Sequence, residues 1–474
     1  MLLASAGTAP AEAADITTAQ ASALQSQMQG WLQGMLGPDV RVTERTVQVR
    51  PEGDHYRIEV PLGLQRAGQA GPVTLSASAR PAEGGRWTFE GPDIPSPTSF
   101  TFDMPVPPKD GQKAPVSTTP VDYTITTGSQ TSGGSFDPSF ATPSTLTTSS
   151  RDLQIRARSA LTDQLTKIER SASTSTLRPA GSGRMDFKGG ATVEGYSSVS
   201  KFPDEPPFEL SAQREQGTTE ITALSRDRAA IMLPAIARIG IGFLTGVPGS
   251  DSNAPAKRPW ADPVLLRTIV QSLQDLASEV TLNDTFDGVA WHSGSGNGAT
   301  NQVRIGLRAK ADGGLLQAYM DLSLDGLVLP DLALGAMAEL LPQRIALRPV
   351  LTGIPTAELI QWLAARADAR DGVRSPGLAA LFRHGGVSAG LESFAIDVGG
   401  ASFAGMGALT SASPESLAGQ AQVTAANFDD LLARVNKLPE LSGVLPLLVF
   451  AKGISQTVEG RLVWDIAYRD NKIS

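Results

Sequence analysis

Segments in which apolar and polar residues alternate recur along almost the whole chain. They include residues 46–50 and 56–60, 73–77 and 86–90, 100–104, 184–199, 208–224, 302–309, 344–348, 393–398, 419–423 and 461–468. Because successive side chains of a strand point to opposite faces, a two-residue period predicts strands with one buried and one solvent-exposed face. We therefore expect a β-rich α+β fold: an extended, twisted antiparallel sheet with short helices packed on one face.

Turn-forming residues indicate how the first strands connect. Gly53-Asp54 and Gly84-Gly85 each lie between two alternating segments, and this arrangement is typical of hairpins. Pro105 and Pro107-Pro108 are expected to end the strand at 100–104, since proline cannot donate to a ladder. Residues 122–150 are rich in Thr, Ser and Gly, and they predict exposed hairpins with a strand at 123–125.

Two helices are predicted by apolar residues at intervals of three and four. The first covers residues 16–36 and is stopped by Gly37-Pro38. The second begins at Pro263, with Asp262 as its N-cap. Its buried face is expected to consist of Leu265, Leu266, Ile269, Val270, Leu273 and Leu276.

The second half contains a weak repeat in which a strand leads into a helix. The copies are residues 344–360 and 419–432, and residues 322–341 resemble a third. In the second copy, Asn427 is expected to cap the helix with its side chain, and the acidic pair Asp429 and Asp430 favours the positive end of the helix.

Composition excludes several classes of protein. Among 474 residues, Gly 48 and Pro 33 are too few for a collagen or a wholly disordered chain. The net charge of −8 argues against a nucleic-acid partner. With Cys 0, the chain has no disulfide, thiolate metal site or cysteine nucleophile.

The chain is expected to divide into two halves after an N-terminal targeting segment. The predicted parts are a signal-peptide remnant at 1–14, a helix and β-rich half at 15–248, a Pro/Gly/Ser loop at 249–262, and a β/α half at 263–474. Small apolar residues at 2–9 precede Ala11-Glu12-Ala13, a pattern that signal peptidase reads. We therefore expect a periplasmic or otherwise exported protein.

One long apolar segment could concern a membrane. Residues 229–247 are nearly all apolar, but Arg238 lies at their centre and Pro234 interrupts them. A central Arg disfavours insertion by about 2.5–3.5 kcal/mol, so we predict core packing instead of a transmembrane span. Peripheral membrane contact is left open.

These features together suggest a family. The resemblance rests on the alternating Leu strands, the sequence at residues 340–347 and the closing segment 460–466. The chain resembles uncharacterised alphaproteobacterial envelope proteins of a domain of unknown function, similar in style to AsmA-like proteins. The resemblance implies a periplasmic location and, through the AsmA-like relatives, a link to outer-membrane lipid homeostasis. It implies no catalytic residue.

Few residues are candidates for a catalytic or metal-binding role. Residues 386–390 match G-x-S-x-G around Ser388, near His384, but a nucleophile elbow needs a strand before the serine and a helix after it, and here a strand follows. His55 is expected to be solvated beside a turn, and His292 to precede a flexible glycine-rich hairpin tip. No metal-binding spacing occurs.

The remaining conspicuous residues are expected to be structural. Asp204-Glu205 and Asp429-Asp430 are predicted to be solvated or capping acids. Trp31 and Trp362 lie on apolar helix faces, so packing is expected for both.

The sequence thus favours a non-catalytic envelope protein without cofactor, metal or assigned site residue. We expect it to bind a lipid, an apolar ligand or an envelope partner on the concave apolar face of its sheet. A structural or assembly factor of the envelope is the alternative, and a serine hydrolase using Ser388 is a weaker one.

Overall fold

The computed structural model describes most of the chain. The described residues are 16–36, 47–65, 72–106, 117–136, 143–203, 205–245, 263–294, 296–329, 335–368, 381, 386–413, 416–469 and 472–473. The expectations that rest on residues 1–14, Gly37-Pro38, 249–262, Asp204 and His384 fall outside them.

The described residues form six α-helices and twenty-one strands. The helices are α1 Thr18–Leu36, α2 Arg226–Thr245, α3 Pro263–Ser272, α4 Thr356–Asp368, α5 Phe428–Val435 and α6 Leu445–Ile454. The strands of the first half are β1 Gln48–Glu52, β2 His55–Gln65, β3 Pro72–Pro81, β4 Trp87–Asp93, β5 Thr98–Val106, β6 Ser117–Thr126, β7 Ser129–Phe136, β8 Thr145–Arg158, β9 Asp163–Gly181, β10 Arg184–Lys201 and β11 Phe208–Ser225. Those of the second half are β12 Glu279–Ser293, β13 Gly296–Asp312, β14 Leu315–Asp325, β15 Pro342–Pro355, β16 Val387–Val398, β17 Ala401–Ser413, β18 Ser416–Ala426, β19 Gln456–Val458, β20 Arg461–Arg469 and β21 Lys472–Ile473.

All of these strands belong to one open antiparallel sheet, which confirms the β-rich fold class. From β7 to β18 each strand pairs with the next one in the chain, and β20 follows β18. At the other end the order is β1, β2, β3, β4 and β7, while β5 and β6 join through β8. The strands β11 and β12, on either side of the expected loop, are direct neighbours.

Most of the predicted strands are confirmed. The turns at Gly53-Asp54 and Gly84-Gly85 do connect paired strands, and residues 122–150 do form β6, β7 and part of β8. The strand at 461–468 pairs with Lys472–Ile473. The strand β5 continues past Pro105 and ends at Val106, directly before Pro107. Among the described strands β5 pairs only with β6, and an edge strand tolerates a proline.

Four buried clusters join helices to the sheet. In the first, Ala21 and Leu24 of α1 contact Val49, Tyr56 and Ile58. The second joins α2 to β9, β10 and β11, the third joins α4 to β14, β15 and β16, and the fourth joins α5 and α6 to β17, β18 and β20. The core is therefore distributed along the sheet.

In both predicted copies of the repeat a strand does lead into a helix, but the two helices begin at opposite ends of the sheet. Both β15 and β18 lead directly into helices, α4 and α5. Because β15 and β18 run in opposite directions through β16 and β17, the two helices begin at opposite ends of the sheet. The third copy ends in a 3-10 helix at Gly335–Leu340.

Three expectations about helices are wrong. Asn427 precedes α5 but has a left-handed backbone (φ 56°) and makes no side-chain cap bond, since an N-cap normally needs extended backbone to aim its oxygen at the helix. Leu273 is 39% exposed because it lies beyond the end of α3. The segment at 229–247 is not packed throughout: Ala229 and Ala235 are buried, but Ile231 and Ile236 of α2 are about half exposed.

Candidate ligand-binding surface

One face of the sheet carries an uninterrupted row of residues paired directly across the strands. It runs through Ser173, Ala191, Gly217, Asp284, Ile305, Leu322, Leu347, Phe394, Gly405, Val423 and Trp464. Directly paired residues point to the same side of an antiparallel sheet. From Ile305 onwards, every member of the row is apolar or glycine.

Two parallel rows on the same face have the same character. One contains Leu282, Leu307 and Met320, then Pro349, Leu391, Gly407, Ala421 and Ile466. The other contains Val280, Ala309 and Ala318, then Leu351, Ala389, Leu409, Gly419 and Tyr468. We call the part of this surface on β12–β18 and β20 the apolar face.

Four large side chains of the apolar face, on β13, β14, β17 and β20, are open to solvent, while the row members of β15 between them are half-buried. Ile305 is 45% exposed, Met320 40%, Leu409 43% and Ile466 38%. Soluble proteins seldom leave contiguous apolar patches of more than a few hundred Å² uncovered, and such patches mark binding surfaces. The described part of the chain thus contains a surface with the properties of a binding site.

Beyond β12 the same face becomes polar. The hydroxyls of Thr148 and Ser173 are 2.7 Å apart, as are those of Ser150 and Ser171. We call this the hydroxyl region. Between it and the apolar face lies Glu215, whose pKa is raised by burial and, to a smaller extent, by the neighbouring charge of Asp284. A carboxyl group that resists ionisation thus marks the boundary between the two regions.

Because the pKa of Glu215 is raised, replacing this residue with its uncharged isostere Gln should stabilise the folded chain to an extent that depends on pH. The folded chain holds this proton more tightly than the unfolded chain, so the associated stability is full below the unfolded pKa and is lost as pH rises through the folded pKa. We expect Glu215→Gln to raise the free energy of unfolding at pH 7 and to have little effect near pH 3.5. Urea unfolding midpoints of the variant and the wild type between pH 3.5 and pH 7 measure this difference in stability.

The matched control is Glu209→Gln, an exposed position of the same strand. It should follow the wild-type pH dependence. If Glu215→Gln follows the wild type as well, Glu215 ionises as freely in the folded chain as in the unfolded one, and the prediction is wrong.

The opposite face, which we call the polar face, carries ion pairs. Arg348 bridges Asp321 (3.1 Å) and Glu392 (3.0 Å), and Arg308 contacts Glu279 (2.7 Å). A groove of about 760 Å³ is lined by residues of both faces. From the polar face it takes Tyr319, Val350, Met406, Ala408, Gln420, Gln422, Asp465 and Ala467, and from the second apolar row it takes Leu391, Gly407, Ala421 and Ile466.

The structure places Ser388 within a strand. It lies near the start of β16, where its paired residues are Thr352 and Thr410, and β16 continues for ten residues after it. A nucleophile elbow would need a helix there. Neither paired residue can act as a general base, so the serine hydrolase hypothesis gains no support from the described residues.

The two described histidines lie at hairpin turns. His55 contacts Asp54 at 3.0 Å, which together with Arg80 lowers the pKa of Asp54. The expectation of a solvated His55 is only partly met, since its side chain is 27% exposed. His292 contacts Asn297 across the β12–β13 hairpin.

The residues expected to be structural are so wherever they are described. Glu205, Asp429 and Asp430 are exposed, and the last two lie in the first turn of α5. Trp362 packs on the buried cluster of Ile354 and Val387. The side chain of Trp31 lies outside the description. Among the described residues, no group of three or more acidic or histidine side chains could hold a metal ion, and no helix has the length and hydropathy of a membrane span.

Sequence analysis alone missed the most exposed apolar element. The helix α6 carries Leu447, Phe450 and Ile454, each more than 60% exposed. Its sequence is almost wholly apolar with a single Lys, a signal visible in the chain. Sequence reasoning singled out residues 229–247 instead, because they form the longer apolar run.

Comparison with known proteins adds no relative. No family model matches the chain, and neither the curated proteins nor the solved structures contain a significant match.

Proposed function

We propose that this chain is a non-catalytic binding protein of the bacterial cell envelope, and that it holds the acyl part of a lipid or a similar apolar ligand on its apolar face. The observation that carries the proposal is the exposure of Ile305, Met320, Leu409 and Ile466, which are members of the three apolar rows. Burying such side chains is favourable by about 25 cal/mol per Å². An apolar ligand supplies that burial.

The chemistry of the rows favours acyl chains over a protein partner. Between β13 and β18 the three rows contain no side chain that can donate or accept a hydrogen bond. Protein interfaces usually carry about one hydrogen bond per 100–200 Å². Six strands at about 4.8 Å spacing give a surface about 24 Å wide, which suits an extended chain.

We further propose that the helices cover only the two ends of this face. The clusters of α2, α4 and α5 contain Ile221, Leu351 and Phe403. Leu351 is a row member, and Ile221 pairs with the row member Val280. Phe403 lies two residues from the row member Gly405 on the same strand. The helices α4 and α5 begin at opposite ends of the strands. Helices at both ends of the strands would leave the exposed row members between them as a bounded strip.

The hydroxyl region would fix the orientation in which the ligand lies on the sheet. Thr148, Ser150, Ser171 and Ser173 lie on the same face as the apolar rows, several strands away. A polar head group can exchange hydrogen bonds there while its apolar part covers the rows. An amphipathic ligand fits this order better than a wholly apolar one. The location in the envelope rests on the alanine-rich segment before residue 15 and on the family resemblance.

Binding of cis-parinaric acid, a fluorescent fatty acid, tests the proposal. The double variant Ile305→Thr/Met320→Thr removes two half-exposed apolar side chains and keeps residues that suit strands. We expect it to lose about 2 kcal/mol of binding free energy, or roughly thirtyfold in Kd. Fluorescence titration measures the change.

The control is Arg304→Thr/Tyr319→Thr, which alters the same two strands on the polar face. It should bind as the wild type does. Because Tyr319 lines the 760 Å³ groove, a loss in the control alone would move the site to that groove. A wild type that binds no probe but retains envelope proteins in a pull-down would favour the assembly factor instead.

A further inference from the structure

The helix α6 presents an apolar surface that the rest of the described chain leaves uncovered. Leu447 is 67% exposed, Phe450 64%, Ile454 61% and Val449 55%. At 100° per residue, these side chains share one half of the helix with Pro446 and Gly453. That outer half contains no polar side chain.

The inner half of α6 is firmly attached, so the exposure is not that of a loose end. Leu445 and Leu448 pack on the cluster of Phe428 and Leu431. Trp464 donates its indole N–H to the carbonyl of Ala451 (2.7 Å), and Lys452 forms an ion pair with Asp429. These contacts fix the rotation of the helix, and the rotation turns the apolar half outward.

We propose that α6 is a membrane-contact helix, whose outer half inserts into the interfacial layer of a lipid bilayer. A helix satisfies its own backbone hydrogen bonds, which a segment in lipid must do. Ten residues make about 15 Å, too short to span a hydrocarbon core of about 30 Å but suited to lying in the interface.

The size of the surface argues against a second copy of the chain as its occupant. With about half to two thirds of each side chain exposed, the patch amounts to about 500–600 Å², below the roughly 800 Å² per partner of a standard protein interface. A protein partner would also meet no hydrogen-bonding group on the outer half. Lipid acyl chains require none.

The charges around α6 indicate which lipids it contacts. Its one cation, Lys452, is paired with Asp429, so little positive charge is left to attract an anionic surface. Insertion should therefore be driven by the apolar side chains and depend weakly on salt and on lipid charge. This proposal does not require ligand binding by the apolar face.

Sedimentation of the full chain with phosphatidylcholine vesicles tests the proposal. We expect the wild type to bind, with less than a twofold change between 0.05 and 0.5 M salt or on adding 30% phosphatidylglycerol. Leu447→Gln/Phe450→Gln should weaken binding at least tenfold. Both positions are exposed, so folding should be kept, and circular dichroism checks this.

The matched control is Val264→Gln/Met406→Gln, at two apolar positions that are 65% and 59% exposed on α3 and β17. It should bind vesicles as the wild type does. Absence of wild-type binding, equal loss in the control, or binding only to phosphatidylglycerol at low salt would each overturn the proposal. So would a wild-type dimer that the α6 variant converts to a monomer.

The same variants separate this proposal from the function of the apolar face. Leu447→Gln/Phe450→Gln should bind cis-parinaric acid normally, and Ile305→Thr/Met320→Thr should still sediment with vesicles. Loss of both activities in either variant would show that one surface serves both, and it would contradict a membrane role specific to α6.

Discussion

Replacing Tyr56 with Ala is expected to lower the free energy of unfolding by about 3–5 kcal/mol, the range for removing a large buried aromatic side chain. Tyr56 is fully buried in β2, and its ring meets the edge of Trp87 at a centroid distance of 5.6 Å. Its hydroxyl accepts the Thr17 N–H (2.7 Å) and donates to Gln20 Oε1 (2.7 Å). One side chain thus fills the first cluster and holds the start of α1.

Tyr56→Phe separates the two contributions. It keeps the ring but leaves the Thr17 N–H and the Gln20 amide without this partner, which should cost about 1–3 kcal/mol. Urea unfolding measures both variants, and hydrogen exchange of α1 should rise more than that of β9 and β10. Tyr319→Phe, on the polar face, is the control and should change stability by less than 0.5 kcal/mol. Equal urea midpoints for Tyr56→Ala and the wild type would contradict the prediction.

Phe428→Ala is expected to have an effect of similar size, about 3–5 kcal/mol, at the other end of the molecule. Phe428 is 5% exposed, and its ring lies 5.9 Å from the rings of both Phe403 and Trp464. The cavity would loosen both α5 and α6, because the same cluster anchors them. Urea unfolding and proteolysis near residue 443 measure the two effects.

Phe450→Ala provides the control for the same chemical change. Phe450 belongs to α6 but is 64% exposed, so its loss should alter the free energy of unfolding by less than 0.5 kcal/mol. If the two variants are equally stable, the cluster around Phe428 does not anchor the helices.

The strands were predictable because their signal is local. The alternation at residues 344–348 and 461–468 already assigns each side chain to a face, and the hairpin turn at Gly53-Asp54 sets the partner of β1. The apolar face follows from the same period, so most of the candidate surface could be predicted from sequence. The family resemblance stays a prediction, since no comparison tests it.

Other features depend on contacts that a local pattern does not contain. The exposure of Ile231 and Ile236 depends on what packs on α2, and the opposite placement of α4 and α5 depends on the number of strands between them. The backbone of Asn427 is set by the turn from β18 into α5, which overrides its preference as a cap.

The neighbour-to-neighbour order of β7 to β18 has a consequence for how the molecule is made. Each of these strands pairs with the strand synthesised before it, so the polypeptide leaving the ribosome or a translocation pore can extend the sheet in order, with α2 and α3 made between β11 and β12 and α4 made between β15 and β16. From β8 to β18, each strand therefore finds its preceding partner already synthesised. A sheet with this order can also gain or lose a pair of strands during evolution without changing how the other strands pair.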